Sequence, residues 1–155
     1  MEASLIYDLA PIGSIVSWSD ETPRPPERHK KKLIAWRDRN SSGRLIRKEV
    51  PRMLGNHTSP PAFTLHEGDL GGRGIIVVII LRTFGIDSTL SFKVLQRPPI
   101  GSVRVFDHPG SSRELVHLAA DREAAEAWLK VHVYPHAMIE DVPDTEADSP
   151  QDKAA

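Results

Sequence analysis

The sequence predicts an α+β domain: a curved, mostly antiparallel sheet of five to seven strands, barrel-like if it closes on itself, with two helices and a disordered acidic C-terminal tail. Three observations lead there. Most of the chain after residue 44 reads in β-branched runs of period two. Their connections are short, whereas a parallel crossover would need a dozen or more residues. Two segments, at 26–39 and 122–133, carry helical spacing instead.

Taken in order, Ile12 to Trp18 alternates as a strand bounded by Pro11 and Ser19-Asp20. Thr22-Pro-Arg-Pro-Pro26 is a rigid connector, and either Pro25 or Pro26 suits the first turn of a helix that runs to Arg39 and stops at Asn40-Ser-Ser-Gly43. On that helix Arg28, Lys31, Lys32, Ala35 and Arg39 share one face, and His29, Leu33, Trp36 and Asn40 the neighbouring one. Strands follow at 44–50, 62–66 and 75–84, the last beginning with the run IIVVIIL behind the flexible loop Gly68–Gly74. A turn at 85–88 leads to a strand at 90–95. Further strands are expected at 102–106 and 114–118. Asp121 is placed to cap the second helix, which Pro135 ends.

Two details carry consequences. The run from Ile75 to Leu81 would leave several large aliphatics wet if one face were open, so cover on both faces is expected. Pro11-Ile-Gly-Ser14 is echoed by Pro99-Ile-Gly-Ser102, which implies two strands that begin in the same way.

A chain of 155 residues is enough for one domain, here placed at residues 1–142. The absence of Cys excludes a disulfide framework, Cys-ligated zinc, iron–sulfur clusters and thiol catalysis. No apolar run approaches the roughly 20 residues of a membrane span. An acidic Glu2 and a short apolar stretch do not read as a signal peptide, so a cytoplasmic location is expected. The tail, 143–155, has no aromatic or branched aliphatic residue to offset the cost of ordering.

The net charge of −1 conceals a segregation. Residues 24–52 hold eleven basic against three acidic side chains, whereas residues 140–155 hold six acids and one Lys. A basic helix followed by a basic strand can neutralise several phosphates, and Trp36 can stack on an unpaired base. Arg28, Lys31, Lys32, Trp36, Arg39, Arg44, Arg47 and Lys48 are therefore the candidate contacts of a nucleic acid or an acidic protein partner. The competing reading is a solvated face that keeps the chain soluble.

A second class of function, a metal-dependent or His-based hydrolase, would be built on His57, His66, Glu67 and Asp69, which bring imidazoles and carboxylates together around a loop and a short strand. The spacing matches no zinc-binding helix, and neither a phosphate-binding loop nor a nucleophile elbow occurs. A third is an accessory protein acting as a homodimer. The leading expectation is a binding domain without catalytic residues, cofactor or metal.

Overall fold

The computed structural model describes residues 1–72 and 75–148, with the backbone alone described at 69–72 and 75–78. Among the described residues the elements run α1 (Ala3–Leu9), β1 (Ile15–Ser19), α2 (Lys30–Arg39), β2 (Ser41–Glu49), β3 (Arg52–Leu54), β4 (His57–Ser59), β5 (Ala62–Gly72), β6 (Ile75–Gly85), β7 (Ser91–Gln96), β8 (Val103–Phe106), β9 (Leu115–Ala119), α3 (Arg122–Val131) and β10 (Met138–Asp141). The α+β class stands. There are three helices rather than two, because Ala3, Ile6 and Ala10 bury one face of a first helix that the sequence reading passes over.

The main sheet has the order β6-β5-β2-β1-β7, antiparallel throughout. It is strongly curled. Trp18 on β1 and Phe84 on β6 lie three strands apart, about 14 Å on a flat sheet, yet their rings are 5.3 Å apart. Phe63 and Phe92 complete the aromatic cluster on the concave side, at 5.3 Å and edge-on, and Ile6 of α1 is buried with them. The curl does not become a barrel, since β6 and β7 remain separate edges. A five-residue link, 86–90, joins them at one end only.

The second sheet, β10-β8-β9, is covered by α3, whose fully buried Ala125 packs with Val103, Val105 and Ala119. A bulge at Ile46 connects the two layers. Leu45 and Ile46 are consecutive and both buried, one in the concave core, the other with Phe106 and Leu115 of the second sheet. Without the extra residue, alternation would turn one of them to solvent. The repeated Pro-Ile-Gly-Ser forms the same turn twice: Ser14 N–H donates to Pro11 O and Ser102 N–H to Pro99 O, both at 3.1 Å, with Gly13 at φ 103° and Gly101 at φ 80°. That left-handed third position is the glycine of a type II turn, and each turn leads into a strand.

Three expectations change. Residues 68–72 are strand, paired with β6, rather than loop, while 73 and 74 lie outside the described residues. The cover inferred for the apolar run is incomplete: Ile79 and Leu81 are 58% and 41% exposed, because β6 is a sheet edge beside a cleft. The start of the acidic tail is tied down. Glu146 holds the buried Arg104 at 2.6 Å, Asp148 N–H reaches Pro98 O at 2.9 Å, and Ala147 is buried. Composition could not anticipate this, because the partner is a cation enclosed in another strand. Residues 149–155 lie outside the described residues. No described helix is long and apolar enough to cross a membrane.

Candidate functional site

The basic segment divides at the end of α2. On β2, Arg44 is half-buried and donates from Nη1 to Gly13 O at 2.6 Å; burial pulls its pKa below the usual guanidinium range. Arg47 pairs with Glu49 at 3.1 Å. Lys48 is half-buried beside a cavity of ≈ 220 Å³ that Arg104 and Glu146 also line, and desolvation lowers its pKa against the pull of Glu146 and Asp8. These three cations have partners or enclosures within the fold.

On α2 the situation is different. Lys30, Lys31, Lys32 and Arg37 are exposed, with no carboxylate partner among the described residues. Arg28 donates to His29 at 3.3 Å. The first turn has no acidic residue and no side-chain cap, so lysines crowd the positive end of the helix.

The other end of α2 is anchored. Asn40 Nδ2 donates to Asp20 Oδ1 and to Trp36 O, both at 2.9 Å, and Ser19 Oγ donates to Asn40 Oδ1 at 2.7 Å. Arg39 pairs with Asp20 at 3.2 Å. Hydrogen bonds from Thr22 and Asn40, then the Arg39 charge, bring the Asp20 carboxyl down to about 2. Trp36 donates from Nε1 to Thr22 O at 3.0 Å and keeps part of its ring exposed.

The residues suggested for hydrolysis are distributed. His57 stands exposed on the small β3–β4 hairpin. Glu67, the bulged residue of β5, accepts from Arg82 Nε at 3.0 Å, and Arg82 also holds Asp38 at 2.9 Å. The Asp69 side chain lies outside the described residues. Among the described residues no three His, Asp or Glu gather as metal ligands.

His66 belongs instead to a cleft of ≈ 370 Å³ between the two sheets. Its floor is Ile46 and Leu115; Ile79 and Leu81 form one wall, and His117, Trp128, His132 and Tyr134 the other. Three rings lie parallel to the Trp128 plane: His132 at 4.0 Å and 9°, His117 at 4.7 Å and 2°, Tyr134 at 5.6 Å and 17°. Burial, with a smaller contribution from His132, keeps the His117 pKa below the ordinary imidazole value. Sequence spacing places Trp128 and His132 on one helix face; His117 comes from β9 and has no local signal.

A family model described as "Uncharacterised conserved protein UCP036055" matches residues 1–146. The chain belongs to this family. The match takes in the three helices, both larger sheets and the cleft, as well as Glu146, the partner of Arg104. No curated protein and no solved structure matches the chain.

Proposed function

We propose that this protein is a non-catalytic binding domain whose α2 surface docks on the phosphate backbone of single-stranded nucleic acid. The observation that carries the reading is the contrast between Lys30, Lys31 and Lys32, which are exposed and without carboxylate partners among the described residues, and the β2 cations, of which Arg47 pairs with Glu49 and Arg44 and Lys48 are half-buried. Contacts therefore centre on Arg28, Lys30, Lys31, Lys32 and Trp36, with Arg39, which already pairs with Asp20, and Arg47 and Lys48 in a supporting role, whereas Arg44, half-buried and bonded to Gly13 O, is not among them. Trp36 lies about one helical turn after Lys32, on the adjoining face, so a phosphate on the lysine brings a base toward the partly exposed indole.

Anisotropy of a labelled oligothymidylate across a salt series tests this. Binding weakens with salt, with a log–log slope of about −0.7 per phosphate contact for single strands. The variant K30Q/K31Q/K32Q loses about 2 from the magnitude of that slope. Absence of binding at low salt, or an unchanged slope in the variant, overturns the proposal. Equal competition by polyglutamate overturns it in favour of an acidic protein partner.

A further inference from the structure

The cleft between the sheets has no part in the α2 surface, and its chemistry points to a different ligand. Its wall is a stack of aromatic rings with planes within 17° of Trp128. Two of its members, His132 and Tyr134, are exposed, and Ile79 and Leu81 line the same space as large aliphatics in contact with solvent. A ring-lined slot of mixed polarity favours a flat ligand that carries a polar group, since parallel aromatic planes gain from a further offset ring.

The cleft runs into a smaller cavity of ≈ 230 Å³, with which it shares Ile46, His66 and His117 among other residues. Arg44 lines that second cavity. Its guanidinium carries five N–H donors. Among the described residues one is used, by Gly13 O at 2.6 Å, and no carboxylate pairs with it. A half-buried guanidinium whose partner among the described residues is a carbonyl is suited to a ligand anion, because the fork matches a carboxylate in a two-pronged contact. Glu114 also lines the wider cleft and disfavours a second negative group there.

We infer that the cleft binds a small planar aromatic monocarboxylate, its ring against the His117–Trp128–His132–Tyr134 stack and its carboxylate on Arg44. Burial, with a smaller contribution from His132, holds the His117 pKa below the ordinary imidazole value and so favours its uncharged ring as a π surface, while Arg44 supplies the positive charge.

The test is calorimetric titration of the full chain with naphthalene-2-carboxylate and with its neutral counterpart, 2-naphthamide. The acid is expected to bind saturably and about 10-fold more tightly than the amide, the usual scale of one charge-assisted pair. His132→Ala, at an exposed position, weakens both ligands by a similar factor. Arg44→Gln removes the preference for the acid and leaves amide binding in place, and Arg44→Lys restores part of it. The pair of ligands on the unaltered chain keeps the question open to refutation even if Arg44→Gln fails to fold. Absence of saturable binding of either ligand, equal affinity for both, or indifference to His132→Ala overturns the inference. K30Q/K31Q/K32Q should bind naphthalene-2-carboxylate like the unaltered chain, so failure of this site and failure of the α2 surface read out separately.

Discussion

α2 and α3 are each ten residues long and are stabilised in opposite ways. α3 follows the local rules. Asp121 caps it by accepting from Ala124 N–H at 2.7 Å, Glu123 sits in its first turn and Lys130 in its last, and Ala125 is buried against the second sheet. α2 breaks several of them: lysines occupy its uncapped first turn, Leu33 is its buried residue, and Ile34 is 62% exposed. What holds α2 is tertiary and lies at its far end, where Asn40, Asp20 and Ser19 interlock and Trp18 Nε1 donates to Asp38 O at 3.2 Å. One helix is a structural cover, and the other is a charged surface anchored at one end.

The largest expected effect comes from enlarging equivalent small residues on the two helices. Ala125→Leu forces extra methylenes into a closed contact and should cost about 1–3 kcal/mol in urea denaturation. Ala35→Leu, on the exposed side of α2, should stay within about 0.5 kcal/mol. Comparable losses at both sites would mean that α2 is packed like α3, and the contrast would be gone. The next effect is at the N-termini. Asp121→Ala should destabilise by about 1 kcal/mol through loss of the cap. His29→Asp, at the cap position of α2, should stabilise by up to about 1 kcal/mol, supplying both an acceptor and a negative charge beside the lysines. No gain from His29→Asp would show that the first turn of α2 is limited by something other than its uncompensated charge.

The same contrast explains how much could be read before the fold was known. Features governed by near neighbours were legible: the Asp121 cap, the stop at Asn40, the two strands that begin alike after Pro-Ile-Gly-Ser and the β-branched strand expected at 75–84. The fate of a charge was not. Arg44 and Lys31 look alike in sequence, yet one is half-buried with Nη1 on a carbonyl 31 residues away and the other faces water. Glu146 reads as part of a solvated acidic tail until Arg104, 42 residues back, is found buried and in need of a partner. The histidines behave similarly. His57 and His66 are close in the chain but belong to different sheets, while His117 and His132, fifteen positions apart, flank one indole because α3 packs on β9. The ring stack was half visible as the Trp128–His132 helical spacing; its other half depends on packing that no local pattern records.

The smallest effect concerns the anchor of α2 and is read by acid. Asp20 has a folded pKa of about 2 against an ordinary 3.8, chiefly through hydrogen bonds from Thr22 and Asn40. Between those values the unfolded chain binds more protons than the folded one. The stability Asp20 contributes is therefore complete above about pH 5 and is lost as pH falls toward 2. Asp20→Asn removes the titration while keeping an acceptor in place. The difference in urea midpoint between the unaltered chain and Asp20→Asn should thus be constant from neutrality to about pH 5, then shrink toward pH 3. A difference that stays constant through that window would mean that the carboxylate charge adds nothing to the anchor and that Asn40, with its bonds to Ser19 and the Trp36 carbonyl, holds the end of α2 unaided.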